Sequence, residues 1–520
     1  MKKTILFILA AFILASTVKA QVVYDTISKV NVASGVTYKK LYSKAAPWTV
    51  HVLQVNIKNP NIKIETVKAL NQLKMFKDNI TLVGPMPTEA LTVMSMTNSY
   101  DGHYVAAGIN GDFFTDEEGR PYNIQIKNSE ILQKPTNSAV IGFDPSNKPM
   151  VGRVTYNGQV MVKKNSSVIY DSSVAINGLN NWRMLDEMWL YNQYIGAEVP
   201  DSLPWTGQNQ WGSEMIIEPL NPWVVNDTIK AVVRGLAKCC PDTVTRFQKG
   251  WAILSQHRNM DDWLVNMMNV GDTVKINLNV KPAAGGGAGL KRITEMIGGS
   301  PQIVKNGTNY VDQGYVDEEV VIDPTKPHHS KELHPRSGVG ISQDSTYLYM
   351  VTVDGGQPDY SKGMTLAQFA DLLVSLKVHN AINLNGGPNA EMVVNDTLAS
   401  MPSLGAELPL SNGLFVVVKS TTGVNNESSM PSYYKLYQNY PNPFNPSTNI
   451  RYTMTKTGFV SLKVFDMLGR EIATLVNEEK QAGSYIEHFS TVNYNLPSGI
   501  YFYRLKAGNF VETKKMVLIK

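Results

Sequence analysis

Apolar and polar residues alternate with a period of two along most of this chain. "WTVHVLQVNI" (48–57), "YVAAGINGDFF" (104–114), "DTVKINLNV" (272–280), "STYLYMVTVDG" (345–355) and "NGLFVVVKS" (412–420) each carry that alternation or a short apolar run, and each ends in turn residues. They read as strands. Only two stretches have helical spacing, one starting near "PTEALTVMSM" (87–96) and the other "MTLAQFADLLVSLKVH" (364–379). In the second, Thr365 and Gln368 stand at capping-box distance, and Leu366, Phe369, Ala370, Leu373 and Leu376 share one face that would pack on a sheet. The class predicted for residues 21–420 is α+β, a strand-rich mixed sheet with a few packed helices and few βαβ units. "AAGGGAGL" (283–290) reads as a mobile loop.

The pattern breaks at "KSTTGVNNESSMPSY" (419–433), which is polar and without period. It predicts a linker over 421–434, followed by a second domain over 435–520. That tail opens on a Pro- and Asn-rich extended segment and continues as short alternating strands, "FVSLKVFDMLG", "GSYIEHFS", "GIYFYRLKAG" and "FVETKKMVLIK". The proline ring fixes φ and restricts the residue before it, so the entry is extended. The strands that follow predict a small all-β, Ig-like sandwich. "YPNPFNPSTNIRY" (440–452), "VFDMLGREI" (464–472), "LPSGIYFYRL" (496–505) and "KKMVLIK" (514–520) resemble the C-terminal sorting domain of type IX secretion substrates. The resemblance implies a partnership with that secretion machinery, passage across the outer membrane, and then removal of the tail or surface attachment.

Composition narrows the class further. The chain has 520 residues, 43% apolar and 18% charged, which describes folded protein in more than one domain. A formal charge of +4 with no basic block and no helix-turn-helix or finger spacing argues against nucleic acid as a partner. Residues 1–20 read as a signal peptide: Lys2 and Lys3, then "TILFILAAFILAS", then Val18 and Ala20 ahead of Gln21. No other apolar run reaches the about 18 residues of a membrane span, so no transmembrane segment is expected. The only cysteines, Cys239 and Cys240, are neighbours. Adjacent Cα atoms lie about 3.8 Å apart, shorter than the usual disulfide span. A buried free pair or an occasional strained vicinal disulfide is therefore expected, and the fold must rely on its core.

The common catalytic signatures are missing: no HExxH, CxxC, G-x-S-x-G or GxxxxGK[ST] occurs. His328, His329 and His334 in "PHHSKELHP" lack metal-ligand spacing and read as a solvated loop. Neither a metal nor an organic cofactor is expected.

What remains is a series of Gly- and Asn-bearing loops at predicted strand ends: "GINGDFF" (108–114), "INGLNNWR" (176–183), "WGSEMII" (211–217), "MIGGSPQIVKNG" (296–307), "HPRSGVGI" (334–341), "VDGGQ" (353–357) and "NLNGGPNAEM" (383–392). Each alone is ordinary turn chemistry. In this order they resemble the phosphodiester glycosidase family, with the likeness running from residue 35 to residue 420. The family's N-G-G-F-F, I-G-G-x-P, R-[TS]-x-x-G, D-G-R, G-x-T and L-D-G-G-[GP]-S segments correspond to Asn110–Phe114, Ile297–Pro301, Arg336–Gly340, Asp354–Gly356, Gly363–Thr365 and Leu384–Asn389. The resemblance implies hydrolysis of a sugar C1–O bond in a phosphodiester, with a carbohydrate or sugar-phosphate substrate.

The residue types suit that chemistry. Arg336 can grip phosphate oxygens, and amides around Gly386 and Gly387 could form an anion nest. Asn110 and Asn389, with Gly111 beside the first, suit sugar hydroxyls. Asp354 could act as acid, base or nucleophile, or could simply cap a turn. Three positions depart from the family: Asn385 replaces the aspartate of L-D-G-G, Gly356 the arginine of D-G-R, and Asn389 the serine. Asp112 and Glu391 are extra carboxylates, and Asp112 is the one expected to restore the missing acid. Glu214 in "WGSE" loosely matches a G-x-E segment of the family. The candidate catalytic set is thus Asp354, Asp112, Glu214 and Asn385. Trp182, Trp189, Trp205 and Trp211 could form a sugar-stacking platform or belong to the core. Two functions stand side by side: an exported glycosidase, and a catalytically weakened carbohydrate-binding or exopolysaccharide-related surface protein.

Overall fold

The computed structural model describes residues 22–419 and 434–519, apart from single positions and internal stretches of which the longest are 74–86, 196–211, 239–247, 258–265 and 319–330. The linker, the leader, Cys239, Cys240, His328, His329, Trp182, Trp205, Trp211 and most of the 283–290 loop lie outside the described residues.

Two antiparallel sheets face each other. The first has eight strands in the order 25–33, 36–43, 48–56, 347–353, 336–341, 380–383, 302–305 and 308–309. The second has five, in the order 397–398, 392–394, 103–110, 412–419 and 62–68. The alternation of the sequence explains the layering. In Trp48–Asn56, Val50 and Val52 point to one side and Leu53 and Val55 to the other. Between the sheets Leu53, Val55, Val339, Met350 and Ile382 meet Ile64, Ala107, Ile109, Leu414 and Val416.

A helix covers each outer face. Leu366–Ser375 packs Phe369, Ala370 and Leu373 on the eight-stranded sheet, and Leu91–Thr97 packs Leu91 and Met94 on the five-stranded one. The expected capping box is present: Gln368 N–H donates to Thr365 Oγ1 (3.2 Å), and Thr365 N–H to Gln368 Oε1 (2.9 Å). A third helix, Val311–Asp317, was not expected from the pattern, because "VDQGYVD" is short, polar and glycine-bearing. Among the described residues no helix is long and apolar enough to cross a membrane.

A third, twelve-stranded sheet is built mainly from residues 125–298, with one parallel pair, 178–179 against 188–192. Trp189 is buried there among Tyr191, Ile195 and Ile253, so this tryptophan belongs to the core and offers no ring to a sugar. The tail forms sheets of three and four strands that close over Tyr452, Tyr503, Phe489 and Leu462, as the Ig-like expectation required. It meets the rest of the chain through a buried ion pair: Arg451 lies 2.5 Å from Asp396, which also accepts the Ser95 hydroxyl at 2.8 Å.

Candidate functional site

The antiparallel order brings several chain segments to one end of the eight-stranded sheet. Arg336 pairs with Val353, Gly338 with Asn383, and Val353 with Val50. The exits of strands 347–353 and 380–383 and the entrances of 336–341 and 48–56 are therefore neighbours. The loops after them are stitched together and to the second sheet. Asn385 N–H donates to Gly111 O (3.0 Å), Gly387 N–H to Pro335 O (2.9 Å), and Ser300 N–H to Asn383 O (2.9 Å). Five separated motifs, at 110–112, 298–300, 335–336, 354–355 and 385–389, become one assembly.

Asn110 is the clamp of this assembly. It is fully buried, donates to Asn385 O (2.7 Å) and accepts Glu391 N–H (3.0 Å). Both ends of its amide are committed to the backbone of the 385–391 loop, so it holds that loop and does not present itself to a sugar. Arg336 departs from expectation in the same way. Its side chain is buried, with Nε donating to Met364 O (2.8 Å) and a terminal nitrogen to Glu332 O (2.9 Å). Of the amides expected to form an anion nest, Gly387 spends its N–H on Pro335 O. Sequence alone could not reveal the commitments of Asn110 and of Arg336 Nε, since their acceptors, Asn385 O and Met364 O, are backbone atoms far along the chain.

Asn385 and Asn389 are different. Their side-chain amides make no hydrogen bond among the described residues. Asn385 is nearly buried and Asn389 half-buried, on a loop whose Gly387 takes φ of +61°, a conformation glycine adopts without a Cβ clash. Two unspent amides on one loop suit a polyhydroxylated ligand.

Two of the candidate carboxylates lie in this assembly. Asp112, 3% exposed, follows strand 103–110 and accepts the N–H groups of Asn123 and Phe113, both at 2.8 Å. Burial pushes its carboxyl up to about 7 and outweighs those two bonds, which favour the charged form. Gly298 lies against it: a Cβ there would sit 2.6 Å from Asp112 Oδ2, so the I-G-G segment has a steric reason for its second residue. Asp354, 1% exposed, follows strand 347–353, whose last residue pairs with Arg336. Its Oδ2 meets His51 Nε2 (2.8 Å) and the Tyr360 hydroxyl (2.9 Å), and its Oδ1 accepts Met401 N–H (3.0 Å). His51 Nδ1 in turn lies 2.8 Å from the Tyr38 hydroxyl.

Sequence reasoning missed His51, Tyr38 and Tyr360. One signal was available: His51 interrupts the apolar face that Leu53 and Val55 continue. Glu391 turns away toward Leu408 N–H (3.0 Å), and its carboxyl is pushed up to about 9, first by burial and then by the charge of Glu407. Glu214 lies within the twelve-stranded sheet, opposite Ala237 and Ser255, with no described contact to the 385–391 loop. His334 is engaged with Glu332 at 3.0 Å.

Comparison with known proteins adds two assignments. Residues 224–417 match the phosphodiester glycosidase family, and residues 438–520 match the secretion system C-terminal sorting domain. The first match is narrower than the likeness read from the motifs, and leaves out Tyr38, His51, Asn110 and Asp112. A segment of 111 residues is 31% identical to the N-acetylglucosamine-1-phosphodiester alpha-N-acetylglucosaminidase of Bos taurus, and one of 114 residues is 30% identical to that of Homo sapiens. Each match spans about a fifth of this chain and of the relative. Among solved structures, a hypothetical protein from Synechocystis has a TM-score of 0.53 at 16% identity, covering 75% of this chain and 64% of its own. A Burkholderia pseudomallei protein described as exported has a TM-score of 0.51 at 14% identity, covering 71% and 74%. These two share the fold. The chain thus carries a phosphodiester glycosidase-family segment and a type IX sorting tail, and the tail directs it to the cell surface or beyond.

Proposed function

We propose that the protein is an exported glycosidase that hydrolyses the sugar C1–O bond of sugar-1-phosphate phosphodiesters or related glycoconjugates. Its catalytic part would span residues 21–420 behind a removable leader, and its sorting part 435–520. The observation that carries this reading is the joining of the family-matched loops 298–300, 335–336 and 385–389 to one another and to the 110–112 turn, whose Asp112 comes from outside that segment and lies against Gly298. Asp112, held near 7 by burial, is suited to give a proton to the departing oxygen at neutral pH. Asn385 and Asn389 would hold sugar hydroxyls, and Asp354 would supply fixed negative charge.

A second reading is a carbohydrate-binding surface protein on the same fold. It is favoured by the hydrogen bonds that enclose Asp354 and by Asn385 standing where the family has aspartate. One experiment separates the two. Release of free sugar from a panel of sugar-1-phosphate phosphodiesters, N-acetylglucosamine first, is measured for wild type, Asp112→Asn and Asn385→Asp. Turnover by wild type, reduced about 10²- to 10⁴-fold in Asp112→Asn, is expected for the glycosidase. Sugar binding without turnover in wild type, with turnover appearing only in Asn385→Asp, would replace it by the second reading.

A further inference from the structure

We propose that His51, backed by Tyr38, is a positioning residue for Asp354, holding the carboxylate at the inner end of a single file of hydrogen-bonding groups. The proposal rests on the glycosidase reading for its kinetic consequences, though the arrangement itself can be tested without turnover.

His51 is fully buried, with one ring nitrogen 2.8 Å from Asp354 Oδ2 and the other 2.8 Å from the half-buried Tyr38 hydroxyl. With Asp354 as the carboxylate, which only accepts, Nε2 carries the proton; with the ring neutral, Nδ1 is then an acceptor and Tyr38 the donor, which is the arrangement proposed. The file therefore runs Tyr38 O–H to His51, His51 N–H to Asp354, with Tyr360 O–H closing on the same carboxylate oxygen from the other side. The titratable groups that meet here are Tyr38, Tyr360 and Asp354, and Lys40 lies outside them, 5.4 Å from the centre of the Tyr360 ring. A histidine in an apolar interior is costly unless both nitrogens are bonded. Here both are, and both partners are side chains with chemistry of their own. A leucine, such as the chain places at 53 on the same face, would fill a purely structural position without that requirement. The N-terminal strands thus bring to the Asp354 corner two groups that the family-matched segment does not contain.

The test uses the full chain with ¹⁵N-labelled histidine and four variants: His51→Gln, His51→Leu, Tyr38→Phe and Asp354→Asn. A slowly exchanging downfield ring Nε2–H is expected in wild type, absent from both His51 variants and shifted in Asp354→Asn. A proton on Nδ1, or no response to Asp354→Asn, overturns the arrangement. On a substrate that wild type turns over, His51→Gln is expected to lower kcat roughly 10²-fold, with KM unchanged. Tyr38→Phe should lower it less. A His51→Gln protein that keeps wild-type kcat per folded molecule overturns the positioning role, and so does one whose loss only matches its loss of folded material. If wild type turns over nothing on the panel, the glycosidase reading fails on its own. The resonance experiment then decides the arrangement alone.

Discussion

Asp354 and Asp112 are both buried aspartates at strand exits, yet they are held in opposite ways. Asp354 is fixed mainly by side chains, His51 from a distant strand and Tyr360 from the loop that follows it, together with one amide at Met401. Asp112 is fixed by the backbone of its own neighbourhood, Phe113 and Asn123. The first arrangement fills the carboxylate's acceptor positions with two side-chain donors and an amide, and through His51 ties the residue to a distant strand. The second leaves burial as the dominant influence, so the carboxyl shifts toward neutrality and becomes the better proton donor. Residue type alone does not assign a role; the source of the donors does.

The contrast can be broken most forcefully at Asp354. Asp354→Ala leaves three donors facing an empty acceptor site, each costing about 1–3 kcal/mol when buried, so several kcal/mol of stability should disappear in denaturant unfolding. A loss under about 1 kcal/mol would mean that this corner is wetter than it looks. Asp112 should instead show itself through pH. Its folded carboxyl titrates at about 7 against an ordinary 3.8, so between those values the folded state holds the extra proton. Its contribution is complete below about 4 and is lost as pH rises toward 7, with a slope of at most about 1.4 kcal/mol per pH unit. Glu295 and Glu318, raised to about 7 and about 6, slope the same way, so the informative quantity is the difference between wild type and Asp112→Asn. Equal slopes in the two proteins would remove Asp112 from the titrating groups. The smallest effect is steric. Gly298→Ala forces a Cβ against Asp112 and Asn123 and should cost about 1–3 kcal/mol, while Gly458→Ala, with nothing within 4 Å, should cost far less. Melting of the two variants side by side checks it.

Much of the fold was legible because the deciding interactions are local. The strand at 48–56 follows from alternation and that at 412–419 from a short apolar run, and the helix start follows from Thr365 and Gln368 three residues apart. The site was legible only in part. The loops at 110–112, 298–300, 354 and 385–389 could be named because glycine and asparagine mark sharp turns, and their meeting was implied by family order. What each side chain does once there was not legible. Asn110 and Arg336 look like ligand groups in one dimension and prove to be fasteners, because the carbonyls they hold belong to other segments. His51 was invisible for the same reason: nothing near "TVHVL" points to a carboxylate at 354.

That separation governs when the molecule becomes complete. His51 and Asp354 are 303 residues apart, and their strands pair directly in the sheet. Closing so long a loop costs chain entropy that only the finished sheet returns, which places this pairing among the slower events of folding. During synthesis the strand Trp48–Asn56 emerges long before Tyr347–Val353 exists to pair with it. The early strands must therefore wait, with an open edge, for the last third of the body. A chain interrupted before residue 347 would carry the tyrosine and the histidine but no acid for them to serve. Assembly order thus makes a working Asp354 corner a property of the completed chain alone.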